Sequence, residues 1–212
     1  MNMARKIGNY LRPMLAFALC MSLIGCGMFK TQSKEEALEK MQWEYGDNAI
    51  HLQLDAGPDL NWWGDQPHTL LLVVVQMDDL SAMEAYRSSA KAMSDLLLAE
   101  TAPSGLLTLK RFFIEPGVKR DLQLARVDQS RYVGVVLGYQ HLDPKRSIRL
   151  YQIGADMDRK GWVFRQYQAK PEPLKIELRL GAEGVEASHS ERQPIKPVIQ
   201  PKSGLIETAI SE

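Results

Sequence analysis

The chain has 212 residues, 45% of them hydrophobic, with 26 basic and 26 acidic side chains. That length accommodates one ordinary domain with a real core, and the balanced charge excludes the strongly basic surface of a nucleic-acid binder. Both cysteines, Cys20 and Cys26, lie near the start, which excludes thiol catalysis, Cys-ligated zinc and a disulfide framework in the body of the chain.

The first 25 residues have the parts of an export signal. Arg5, Lys6 and Arg12 form a basic region, Leu15 to Ile24 an apolar run, and Gly25 a small residue at the cut. The apolar run is too short to span a bilayer, which takes about 20 residues. Leu23-Ile24-Gly25-Cys26 resembles the bacterial lipobox. That resemblance implies diacylglycerol transfer to the Cys26 thiol, cleavage before it, and acylation of the new N-terminus. The alternative, an ordinary Cys26 behind a conventional signal, finds no Ala-x-Ala-like site nearby. In the usual sorting pattern an Asp after the lipidated Cys retains the protein at the inner membrane. Gly27 in that place implies the outer membrane, facing the periplasm. Each buried acyl methylene contributes about 0.8 kcal/mol, so two or three chains hold a protein on a membrane without a helix. Cleavage removes three basic side chains and no acid, leaving the mature side chains at about −3.

Residues 26–48 are expected to be the lipidated N-terminus, a polar tether and a short helix. Ser33 and Glu36 have capping-box spacing, and Glu36 and Lys40 stand at i, i+4. From Ile50 the period becomes two, with Ile50, Leu52 and Leu54 alternating against His51, Gln53 and Asp55, as in a half-buried strand. Ala56 to Thr69 is dense in turn formers yet carries Leu60, Trp62 and Trp63. Leu70 to Met77 reads as a strand buried on both faces. Leu80 to Leu97, with apolar residues every three or four, predicts one long helix or two short ones, with Ser81-x-x-Glu84 as a capping box.

Leu107–Ile114, Pro116-Gly117 and Val118–Leu124 predict strand, turn, strand. Tyr132–Tyr139 predicts a central strand in which Gly134 and Gly138 mark close packing or a bulge. Asp143-Pro144 marks a turn. Ile148–Ile153, Trp162–Tyr167 and Leu174–Leu180 complete the series. Seven or eight short strands with one helical insertion, at about 79–100, predict a mainly β chain forming a sandwich over 49–187. Residues 188–212, rich in Pro, Lys and Glu, are expected to be a disordered tail.

Catalytic signals are thin. Ser88-Ser89-Ala90-Lys91 matches the S-x-x-K of penicillin-binding proteins, but S-D-N and K-T-G are missing and the motif falls on many helices by chance. Its plain reading is a solvated helix face. His51, His68, His141 and His189 lack metal-ligand spacing, so neither a metal nor a cofactor is expected. Asp78-Asp79 stands where a strand meets a helix, where a carboxylate caps backbone N–H groups. No catalytic residue is assigned. Trp62-Trp63 has two readings, rings folded back to seal one end of the sandwich or anchors for a protein partner. Two adjacent Trp in a Gly/Pro-rich loop do not both turn inward easily, so at least one is expected to be exposed.

Leu60-Asn61 with Gly64 and Pro67, the strand Leu70–Met77, the helical stretch Tyr86–Leu98, the Pro116-Gly117 turn and Arg131-Tyr-Val-Gly-Val-Val-Leu-Gly-Tyr139 together resemble the type VI secretion lipoprotein family, TssJ, also called SciN or VasD. The resemblance runs roughly from Ile50 to Leu180. It departs from the family pattern at Ile153–Lys170, which is longer and more charged, and in the strand after Pro67, which lacks the usual Arg and Tyr. It implies a transthyretin-like β-sandwich with a helical insertion, held to outer-membrane lipid through acylated Cys26. It also implies a structural, non-enzymatic role, docking the periplasmic domain of the large inner-membrane component TssM. In the family the loop between the first two strands contributes to that contact, which places partner binding at Leu60, Asn61, Trp62, Trp63, Gly64 and Asp65. An accessory or pilotin-like lipoprotein of another envelope machine and a cell-wall-modifying enzyme stand as the alternatives.

Overall fold

The computed structural model describes residues 33–160 and 166–190, so the expected signal, Cys26 and residues 191–212 of the expected tail lie outside the described residues. The described residues fall into two compact units, 42–155 with 171–190 and 33–41 with 156–170. The smaller holds helix α1 (Lys34–Glu39) and the two-stranded sheet of β7 (Ala155–Lys160) and β8 (Gln166–Pro171). Its capping box forms as the spacing predicts, the Glu36 N–H donating to Ser33 Oγ at 3.1 Å and the Ser33 N–H to the Glu36 carboxylate at 3.3 Å. The Lys34 ammonium lies 5.5 Å over the Tyr167 ring.

The larger unit is a sandwich of two four-stranded sheets. One has the order β10-β9-β1-β4 and the other β3-β2-β5-β6. The first is built from β1 (Gly46–Ala56), β4 (Lys119–Arg126), β9 (Leu174–Leu180) and β10 (Val185–Ser190). The second is built from β2 (Leu70–Met77), β3 (Thr108–Ile114), β5 (Tyr132–Gly138) and β6 (Ile148–Gln152). Pairing is antiparallel except between β1 and β9, whose parallel register sets Ile50, Leu52 and Leu54 beside Leu174, Ile176 and Leu178. All six are buried, while Gln53, Glu177 and Arg179 occupy the outer face. One face packed and one solvated is what their strict alternation dictates.

β2 differs because both its faces are covered. Leu70, Leu72 and Val74 enter the core between the sheets, and Val73, Val75 and Met77 enter a second cluster with Met83, Met93, Leu96 and Leu97 of the helical insertion. A side chain without an apolar face would not serve there, and burial of each Val or Leu contributes about 1.5–3 kcal/mol. Gly134 of β5 lets this layer close up, since a Cβ there would stand 2.8 Å from Val75 Cγ2. Gln76 is the polar exception in the run. Its Nε2 donates to Ala125 O at 2.9 Å and its Oε1 accepts from the Val127 N–H at 3.0 Å, tying β2 to the end of β4 across the sandwich.

The insertion consists of a 3₁₀ turn (Leu80–Met83), α2 (Glu84–Arg87) and α3 (Ala90–Leu98). Ser81 is not its cap. Asp79 is, accepting from the Ser81 N–H at 2.7 Å, and those hydrogen bonds hold its carboxyl below the ordinary range. The break before α3 lies at Ser89, extended at φ −158°, whose hydroxyl accepts from the Ala92 N–H. α4 (Pro144–Ser147) forms at the expected Asp143-Pro144 turn, with Asp143 as cap and Pro144 in the first turn, where a missing N–H is harmless.

Two further expectations are corrected, and β7 is a strand that the sequence pattern does not predict. β1 begins at Gly46, four residues before the alternation, with an irregularity between Gly46 and Ile50. β7 carries four charges in Asp156-Met157-Asp158-Arg159-Lys160, and because it is mostly exposed its alternation is confined to half-buried Ala155 and Met157. Of the expected strand at Trp162–Tyr167, residues 162–165 lie outside the described residues, and Gln166 and Tyr167 belong to β8, which runs to Pro171. β10 runs to Ser190, past the expected start of the tail at 188, because it pairs antiparallel with β9 as far as Ser190 opposite Ile176, and Ser188 meets the Tyr151 hydroxyl at 2.8 Å across the sandwich.

Candidate partner-binding site

The segment between β1 and β2, residues 57–69, is pinned to three neighbouring connections at one end of the sandwich. The Gly57 N–H donates to Leu180 O at 2.8 Å, and Gly57 O accepts from the N–H groups of Leu60 and Gly117 at 3.1 and 3.0 Å. Gly117, at φ 73°, completes the expected Pro116-Gly117 turn, a conformation that favours glycine. Next, the Asn61 N–H donates to Gly181 O at 3.3 Å and the Trp62 N–H to Ala182 O at 3.0 Å.

Within the segment, Leu60 is fully buried in the sandwich core, and Asn61 is 6% exposed. Asn61 adopts φ 50°, which Asn tolerates better than most residues. Its Oδ1 accepts from the Gln140 N–H at 2.8 Å and its Nδ2 donates to Thr69 O at 3.4 Å. Leu60 and Asn61 therefore hold the loop in place, and the residues presented to solvent are those that follow.

Trp63 and Gln66 exchange backbone hydrogen bonds at 3.1 and 3.3 Å, closing a two-residue turn at Gly64-Asp65. Both turn residues have positive φ, 56° and 64°, the mirror-image geometry that hairpins prefer. Trp62 is 45% exposed and Trp63 44%. Of the two sequence readings, rings folded in or rings presented, the geometry is that of presented rings, with Leu60 serving as the inward plug. Trp63 stacks on His68, centroids 4.6 Å apart and planes at 23°. Nδ1 of His68 is buried without a hydrogen-bond partner among the described residues. The stack fixes the orientation of one of the two rings.

Other residues singled out in the sequence lie elsewhere. The Ser88 hydroxyl donates to Ala85 O at 2.6 Å, while Lys91 pairs with Asp95 at 3.0 Å, so the S-x-x-K residues face separate partners. Among the described residues no three His, Asp or Glu side chains gather in metal-binding geometry. Sequence reasoning missed Gln140, and the short α4 with Lys145, Arg146 and Arg149 beside it. Only the cluster of basic residues at 145–149 signalled them.

A sequence model of the type VI secretion lipoproteins, described as VasD, EvfM, TssJ and VC_A0113, matches residues 48–182, well over half of the chain. The chain belongs to this family. The match takes in the two-tryptophan loop and every strand of the sandwich except β10. The eight-stranded sandwich with its helical insertion is the architecture that the resemblance implied.

Solved structures similar to it include the T6SS lipoprotein TssJ1 from Pseudomonas aeruginosa, at 19% identity and TM-score 0.46, over 71% of this chain and 98% of that one. Serratia marcescens Lip, described as a membrane-bound component of the type VI secretion system, aligns at 22% identity and TM-score 0.46, over 70% and 98%. A chain of the structure described as the TssM C-terminal domain from EAEC aligns at 15% identity and TM-score 0.44, over 64% and 94%. No curated protein matches the chain in sequence. Among the described residues no helix is long and apolar enough to cross a membrane.

Proposed function

We propose that this TssJ-family lipoprotein is a non-enzymatic brace of the type VI secretion membrane complex, held to the outer membrane by lipid on Cys26 and docked on the periplasmic domain of a TssM-type protein. The observation that carries the docking is the pair of half-exposed indoles, Trp62 and Trp63, on a turn pinned by Asn61. Large aromatic surface on a loop already ordered loses little entropy on association and dominates interfaces when it is buried. The lipobox in the sequence supports the anchor, and Gly27 the outer membrane. Binding to the TssM periplasmic domain of the same secretion cluster tests the reading by titration calorimetry. The unaltered protein is expected to bind, and Trp62→Ala with Trp63→Ala to weaken binding by 2 kcal/mol or more, about 30-fold. Unchanged affinity in the double variant rules the loop out as the docking element.

A further inference from the structure

A second, charged feature adjoins the tryptophans. Lys145, Arg146 and Arg149 line one wall of a cleft of about 400 Å³ whose other wall is Ala182, Glu183, Gly184, Val185 and Glu186. Its two carboxylates are engaged, Glu183 with Arg146 at 3.2 Å and Glu186 with Arg179 at 3.7 Å. Lys145 and Arg149 meet no carboxylate at ion-pair distance among the described residues. The guanidinium of Arg149 is spent on the backbone carbonyls of Lys145 and Ile148, at 3.2 and 3.0 Å, which fixes its position without neutralising it. The cleft adjoins the loop, since Ala182 on its wall accepts the Trp62 N–H at 3.0 Å.

From this arrangement we infer that the docking surface extends past the two indoles onto Lys145 and Arg149, and that the partner places carboxylates opposite them. The inference rests on the docking reading above and adds the chemistry that the partner must carry. A fixed guanidinium and an exposed ammonium beside an apolar anchor form the charged rim that steers association and sets register. An acidic protein surface suits the cleft better than an anionic membrane does. With Glu183 and Glu186 paired to Arg146 and Arg179, the unpaired positive charge is confined to Lys145 and Arg149, which discrete carboxylates match better than a uniformly negative plane does. Asp59 and Asp65 on the loop oppose such a plane.

The test uses the full chain, purified from membranes in detergent, and the TssM periplasmic domain of the same cluster, with association rates followed at several salt concentrations. Lys145→Glu with Arg149→Glu is expected to slow association about tenfold at low ionic strength. The gap is expected to close in about 1 M salt, where the screening length falls to about 3 Å. Lys145→Glu alone leaves the Arg149 contacts intact, and a smaller slowing in the same direction is expected if the double variant folds poorly. If Trp62→Ala with Trp63→Ala weakens binding while both charge variants keep the unaltered rate and salt slope, the rim inference is overturned and the docking reading stands. If neither kind of variant changes binding, the docking reading fails first. Binding to phosphatidylglycerol vesicles that the charge reversal abolishes, with TssM association unmoved, assigns the cleft to lipid and overturns the inference.

Discussion

Asn61 accepts the backbone N–H of Gln140 at 2.8 Å while its own backbone sits at φ 50°, so one side chain fixes the angle at which Trp62 and Trp63 leave the sandwich. Asn61→Ala takes the acceptor from the part-buried Gln140 N–H and places a residue poorly suited to this conformation, with an expected loss of about 2 kcal/mol in urea unfolding. Asn61→Gly removes the same hydrogen bond but tolerates the φ, and is expected to lose less. Equal losses in the two variants would assign the whole effect to the hydrogen bond.

Gln76 satisfies Ala125 O and the Val127 N–H from inside the sandwich. Gln76→Leu keeps the volume and abandons both groups, with an expected loss of about 2–4 kcal/mol. The midpoint of urea unfolding is expected to fall at constant slope.

Gly134→Ala brings a methyl to 2.8 Å from Val75 Cγ2 and 3.2 Å from Leu150 Cδ2. Overpacking of this kind destabilises by about 1–3 kcal/mol. Adding Val75→Ala is expected to recover part of that loss. A double variant whose loss is simply the sum of the two singles would place the strain somewhere other than this contact.

Burial drives the Tyr139 hydroxyl well above its ordinary value of 10.0 and raises Tyr151 as well. A tyrosine raised in the folded state binds its proton more tightly there than when unfolded. Its contribution is therefore whole below pH 10 and is lost as pH rises from there toward the folded value. Stability is expected to be flat from neutral pH to about 9 and to fall above 10. Tyr139→Phe, which removes a hydroxyl with no partner among the described residues, is expected to soften the alkaline fall with little change at pH 7. An alkaline profile identical to that of the unaltered protein excludes Tyr139 as the cause.

Cys26→Ser is expected to leave the domain folded and able to bind its partner, yet to release it from the membrane fraction and stop type VI secretion. Secretion by this variant in a strain with no second copy would make the anchor dispensable.

Where local pattern and burial agree, the amino-acid order was sufficient. The alternation of Ile50, Leu52 and Leu54, and of Ile176, Leu178 and Leu180, marks strands with one face packed. The unbroken run Leu70–Met77 marks a strand packed on both. Period and apolarity are local properties, and a core enforces them. β7 was illegible for the same reason. It buries little, so only Ala155 and Met157 alternate with charged residues, too short a pattern to mark a strand.

Sequence by itself determined the lipobox-like motif that ends at Cys26, most of the strands and the helical insertion, and the position of a loop bearing two tryptophans. Tertiary structure alone decided what that loop presents. Leu60 and Asn61 look like Trp62 and Trp63 in a linear reading, yet two of the four turn into the sandwich and two face out. The choice depends on hydrogen-bond partners about 80 and 120 residues away, at Gln140, Gly181 and Ala182. The same long-range closure joins the loop to Ala182, on the wall of the cleft that Lys145 and Arg149 line. Satisfying buried backbone groups is a condition on the whole fold, and no window of sequence contains it.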